Sequence, residues 1–156
     1  MSKNITIVMY HYVREIKKSK YPNIKGLELK EFKNQLNYLN NRYNIISAEL
    51  MTAYIIGDEK KLPKNSCLLT FDDGYKDHIK YVLPELKKRK LSGCFFPIGS
   101  SIKEKKVLDV NAIQFILACN NNLNHLLVDL INELKKNYLS EKQIDQLWKK
   151  NAIPSI

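Results

Sequence analysis

The run LLTFDDGY, Leu68 to Tyr75, ends an apolar stretch on two adjacent carboxylates and a glycine. Asp72 and Asp73 are the residues whose type and spacing suggest chemistry. Neighbouring negative charges repel, and half-burying them is unfavourable unless a cation, a proton or a set of hydrogen-bond donors compensates. At the carboxyl end of a parallel strand, where α/β architectures bind ligands, such a pair can divide two tasks. One carboxylate holds a divalent metal while the other takes a proton from metal-bound water. The plainer alternative is an Asp–Gly strand-to-helix turn with a carboxylate capping the helix. A phosphatase-like pair, with two Asp residues two apart, does not fit, because position 71 is Phe.

The flanking sequence says what must position the pair. ITIVMY, residues 5–10, is β-branched and apolar and reads as a buried strand. REIKKSKYPNIKGL is polar, contains Pro22 and Gly26, and reads as a loop. Leu29, Phe32, Leu36, Leu39 and Tyr43 follow a 3-4-3-4 spacing, which predicts an amphipathic helix. YNIIS is a short strand candidate, after which Ser47 fits the N-cap of a helix ending before Gly57. CLLTF reads as a second strand of the same kind. YKDHIKYVLPELKKRK predicts a helix with Ile79, Val82, Leu83 and Leu86 on its inner side, kinked or restarted at Pro84. GCFFPIG reads as a third buried strand, stopped by Pro97 and Gly99. Strand and helix alternate over the first hundred residues, which argues for an α/β fold with parallel strands.

Beyond residue 107 the pattern is helical only. VLDVNAIQFILAC, NHLLVDLINELKKNY and SEKQIDQLWKKN follow one another with no strand between them, and Ser140 and Gln143 have capping-box spacing. The expected division is therefore 1–106 for the α/β part and 107–156 for a helical insertion or tail. Trp148 and the Leu126, Leu127, Leu130, Ile131 and Leu134 stripe read as core or interface. An apolar helix face left partly exposed invites self-association or a partner chain.

Composition narrows the function classes. The chain has 156 residues, 44% hydrophobic and 27% charged, with a formal net charge of +10. This is a globular composition. The excess is Lys rather than Arg, scattered through Lys17, Lys18, Lys20, Lys60, Lys61 and Lys87–Lys90, so nucleic acid is not the expected partner. Cys67, Cys94 and Cys119 form no CxxC pair, sit among apolar neighbours and read as buried hydrophobes of a reducing compartment. The N-terminus lacks the apolar core and cleavage site of a signal peptide, and no apolar run reaches membrane-spanning length. The expected location is cytoplasmic.

LLTFDDGY followed by LPELKKRKLSGCFFPIG closely resembles the first motif of the polysaccharide deacetylases, the NodB-homology carbohydrate esterases. VMYHYV near the N-terminus is similar to their first-strand signature. The resemblance covers roughly residues 5–100. It implies a distorted (β/α) barrel, partial in this chain, and removal of acetyl groups from N-acetylated sugars or polysaccharides. It also implies that Asp72 is the general base and that Asp73 binds a divalent metal, usually zinc. No organic cofactor is implied.

The chain departs from the family pattern after that motif. The family's H-x-x-x-H is absent: the histidines are His11, His78 and His125, and no two are four apart. The later Arg loop, hydrophobic pocket and Leu-x-His are also missing. A catalytic zinc normally has three protein ligands, so the expectation is an N-terminal piece of a longer deacetylase, or a chain that has lost catalysis and acts as a binding module. His11, at the carboxyl end of the first strand, reads as a hydrogen-bonding residue at the substrate mouth rather than a ligand. His78 reads as solvated or capping, and His125 as exposed. Arg14 reads as a surface charge, with contact to an anionic sugar group as the alternative. Tyr75 either walls the sugar site or simply packs; the sequence leaves both open.

Overall fold

The computed structural model describes residues 5–58, 61–137, 140, 142–143 and 146. The chain divides into two compact units between Cys119 and Asn120. The expected boundary at 106/107 therefore falls inside the first unit.

The first unit is organised on β5 (Ser66–Asp72). β1 (Thr6–Tyr10) runs parallel to it, from Thr6 opposite Cys67 to Tyr10 opposite Phe71. β4 (Asn44–Ile45) pairs in parallel with Ser66 and Cys67, and β6 (Cys94–Phe96) with Thr70, Phe71 and Asp72. A second parallel ladder joins β2 (Val13–Arg14) to β3 (Leu27–Glu28). β5 is buried from Ser66 to Phe71, as its near-continuous apolar run requires of a strand covered on both faces. The expected α/β class with parallel strands is what the chain forms.

One sheet face packs on α1 (Leu29–Arg42), which buries Phe32, Leu36 and Leu39 at the spacing read from the sequence. These side chains join Tyr10, Leu69, Phe71, Val82 and Leu86 in the main core. α2 (Ala48–Ile56) starts where expected, with Ser47 Oγ accepting from the Leu50 N–H at 3.2 Å. It ends at Gly57, whose φ of +89° suits a residue without a Cβ.

Several expectations are corrected. The segment after β2 is not wholly loop: Ile16–Lys18 form a 3₁₀ turn, anchored by the Ile16 N–H donating to Glu28 Oε2 at 2.9 Å. The helix after the motif opens with one wide π turn, His78–Val82, before α3 (Leu83–Arg89). The extra residue in that turn rotates the buried stripe to His78, Val82 and Leu86, and leaves Ile79 74% exposed. Pro84 sits in the first turn of α3, where its missing N–H is harmless. β6 is not a buried strand, since Phe96 is 52% exposed. Cys119 is exposed and Cys94 only half-buried, so Cys67 alone behaves as the buried hydrophobe expected of all three.

Two further helices complete the first unit, α4 (Gly99–Glu104), which the sequence pattern did not suggest, and α5 (Asp109–Cys119). The second unit contains α6 (Leu123–Lys136), none of whose residues is buried. The Ser140–Gln143 capping box forms: the Ser140 N–H donates to Gln143 Oε1 at 2.8 Å and the Gln143 N–H to Ser140 Oγ at 3.3 Å. Trp148 lies outside the described residues. Among the described residues no helix is long and apolar enough to cross a membrane.

Candidate active site

The carboxyl ends of β1, β5 and β6 carry the residues of the signature. Asp72 is the last residue of β5, opposite Phe96 of β6. Strand alternation places Asp72 on the same sheet face as Leu68 and Thr70, away from the Phe71 core side. Asp73 and Gly74 then turn the chain sharply, with φ of +70° and +68°. A left-handed Asp is tolerated because its short polar side chain bonds locally. The glycine is required twice over: a Cβ there would lie 2.8 Å from Pro97 Cβ and 3.0 Å from Pro97 Cα. The close approach of the β5 and β6 ends thus depends on position 74 having no side chain.

Asp73 is held by a partner. The Tyr75 hydroxyl donates to Asp73 Oδ2 at 2.5 Å, the short range of an O–H bond to a carboxylate. Burial first, then the bond to Asp73, pushes the Tyr75 phenol well above its ordinary pKa. It therefore stays a donor at any ordinary pH. Its ring stacks on Tyr12 with centroids 4.3 Å apart. Asn111 of α5 donates from Nδ2 to Tyr75 Oη at 2.7 Å and to Tyr12 Oη at 3.0 Å, and Tyr12 Oη donates to Gln114 Oε1 at 2.7 Å.

The other sequence candidates are arranged differently. His11 is exposed, one residue beyond β1, and its backbone carbonyl accepts from His78 Nε2 at 2.8 Å. His78 is neither solvated nor a cap: it is 3% exposed and lies among Phe71, Tyr75 and Phe95. The other ring nitrogen, Nδ1, is buried and has no hydrogen-bond partner among the described residues. Arg14 is not a free surface charge. Its Nε pairs with Asp77 Oδ2 at 2.5 Å, and its guanidinium lies over the Tyr12 ring, 5.3 Å from the centroid. His125 is exposed, as expected, and pairs with Asp129 at 2.9 Å.

Tyr12, Asn111 and Gln114 are the residues the sequence reading missed, while His78 was noticed but placed in solvent. The signal for Asn111 was a polar residue sharing an α5 stripe with Phe115 and Ala118. Nothing local revealed that the stripe packs on two tyrosines from distant segments. Beside the turn, an apolar cavity of about 350 Å³ is walled by Tyr75, His78, Leu83, Phe95, Pro97 and Ile102. Among the described residues no group of three or more His, Cys, Asp or Glu converges closely enough to hold a metal ion.

A parallel α/β sheet with a carboxylate pair at the carboxyl end of its central strand places that pair where such folds bind ligands. The polysaccharide deacetylase family model matches residues 59–137, and the chain belongs to that family. The Bacillus subtilis (strain 168) polysaccharide deacetylase homologue YxkH is 32% identical over 103 residues, 65% of this chain and 34% of the relative. The chain thus spans about a third of that relative's length. Among solved structures, a de-N-acetylase from Aggregatibacter actinomycetemcomitans is similar, with a TM-score of 0.54 and 25% identity over 64% of this chain and 39% of its own. IcaB from Ammonifex degensii gives a TM-score of 0.50 and 30% identity over 62% and 41%. The Streptococcus pyogenes deacetylase PplD shares the fold, with a TM-score of 0.55 at 22% identity over 73% and 51%.

Proposed function

We propose that this chain is the N-terminal part of a metal-dependent polysaccharide deacetylase, a distorted (β/α) barrel that hydrolyses the N-acetyl group of amino sugars. The observation that carries the reading is the Asp72-Asp73-Gly74 turn at the carboxyl end of β5, with Asp73 held by Tyr75. Asp72 acts as the general base: its carboxylate removes a proton from water as the water oxygen adds to the amide carbon. Asp73 is the candidate carboxylate for a divalent metal such as zinc. The residues present do not fit that metal by themselves, because a catalytic zinc takes three protein ligands. The exposed His11 side chain and the buried His78, turned to a backbone carbonyl, do not converge with Asp73 on one ion. The missing ligands then come from polypeptide outside this chain, and the chain alone is weakly active or inactive. The same polypeptide, or a second copy, has an apolar surface to cover on α5, where Val110, Ile113 and Leu117 are 55%, 56% and 45% exposed.

The test uses the chain alone and a chimera in which it replaces the matched segment of the Bacillus relative. Alone, calorimetric titration gives no tight one-to-one zinc binding, and N-acetylglucosamine oligomers release no acetate. The chimera releases acetate with added zinc and loses that activity on Asp72→Asn. Tight zinc binding with turnover by the chain alone, or a chimera indifferent to Asp72→Asn, would overturn the reading. The absence of three converging ligands favours a second reading, a non-catalytic carbohydrate- or protein-binding module. That module would keep its affinity in Asp72→Asn.

A further inference from the structure

Asn111 lies on α5, outside the signature motif, and is 6% exposed. Its amide nitrogen serves two phenols, Tyr75 Oη at 2.7 Å and Tyr12 Oη at 3.0 Å. That nitrogen has two hydrogens to give and accepts none. A phenol oxygen that accepts from it must send its own single hydrogen elsewhere. Tyr12 sends its hydrogen to Gln114 Oε1 at 2.7 Å, and Tyr75 sends its hydrogen to Asp73 Oδ2 at 2.5 Å. Asp73 Oδ2 and Gln114 Oε1 can only accept, so each phenol has only lone pairs to offer Asn111, and the amide meets both with its donor side. Turned the other way, an amide oxygen would compete with Asp73 for the Tyr75 hydrogen.

We propose that Asn111 is a positioning residue of the Asp72–Asp73 site, committing the Tyr75 hydroxyl hydrogen to Asp73 and so fixing the orientation of that carboxylate. The proposal deepens the deacetylase reading and rests on it for the purpose of the site. Outer hydrogen bonds of this kind orient metal-binding carboxylates. Tyr12 belongs to the same device, because its stacking on Tyr75 and its bond to Gln114 keep the two acceptors side by side under Asn111.

Proton NMR of the chain reads the network without turnover. The Tyr75 hydroxyl gives a downfield, slowly exchanging resonance, assigned by its loss in Tyr75→Phe and shifted by Asp73→Asn. Asn111→Asp keeps the shape but replaces the donor by an acceptor. In that background the resonance moves and no longer responds to Asp73→Asn. Should circular dichroism find Asn111→Asp unfolded, Asn111→Leu decides, with hydroxyl exchange about tenfold faster than in the parent chain for one lost hydrogen bond. A resonance whose position, exchange and response to Asp73→Asn survive these substitutions overturns the proposal. In the chimera, Asn111→Leu lowers kcat with little change in KM, and unchanged kcat overturns the positioning role. A parent chimera that releases no acetate counts against the deacetylase reading, while the NMR result stands on its own.

Discussion

Tyr75 and Asp73, two residues apart on the turn after β5, close a phenol-to-carboxylate bond of 2.5 Å across a backbone that is left-handed at Asp73. The bond gives the Asp73 carboxylate a fixed partner in a conformation that few residues adopt. It also ties the turn to α5 through Asn111. Removing the hydroxyl leaves both the carboxylate and the buried amide short of a partner. Tyr75→Phe is expected to destabilise the first unit by about 1–3 kcal/mol, the range for stranding buried polar groups. Urea unfolding of the variant against the parent checks this, and an unchanged midpoint would refute it.

Gly74→Ala should be worse tolerated than its size suggests. The left-handed backbone alone costs an L-residue roughly 1–2 kcal/mol. The added methyl would also overlap Pro97, with atoms at 2.8 and 3.0 Å. The expected outcome is a lower melting temperature, together with a shift of backbone amide resonances around Ile98 as the end of β6 moves away.

Two ion pairs near each other in sequence should differ sharply. Arg14 and Asp77 have side chains 13% and 15% exposed, whereas those of Lys18 and Glu15 are 78% and 38% exposed. Arg14→Ala leaves a half-buried carboxylate and uncovers the Tyr12 ring, and is expected to cost on the order of 1–3 kcal/mol. Lys18→Ala should be silent, as solvated pairs generally are. Parallel thermal melts of the two variants provide the comparison.

Alkaline pH should unfold the chain partly through Tyr10. Burial, with a smaller contribution from Cys67, pushes its phenol up to about 12. The folded state therefore favours the neutral form. The associated stability is fully present below pH 10, the unfolded value, and is lost as pH rises from about 10 to about 12. Tyr10→Phe gives up a 3.1 Å bond to Gln35 but should show a shallower loss of stability over that window. Equal slopes for the two chains would be the contrary result.

The sequence made legible whatever depended on periodicity and local capping. The α1 stripe, the Ser47 and Ser140 caps, the continuous burial of β5 and the Asp72–Asp73 turn all follow from spacings within one segment. What it hid depended on partners far along the chain. His78 looked like a solvated helix residue because an α-helical count put Ile79 inward, and one extra residue in the π turn exchanges them. β6 looked buried because CFF is apolar, but burial also requires something to lie against both faces. Asn111 was one polar letter in an apolar helix, and its role needs Tyr12 and Tyr75, which the fold brings to it from elsewhere.

The pairing of β1 with β5 also sets a timetable. Thr6 finds its partner only at Cys67, so during synthesis the first strand waits for most of the first unit to leave the ribosome. At the usual 5–20 residues per second that wait is roughly 3–12 seconds. Throughout it the apolar run ITIVMY has no sheet to join, so this is the interval in which a nascent chain is most open to chaperone capture or to pairing with another copy of itself.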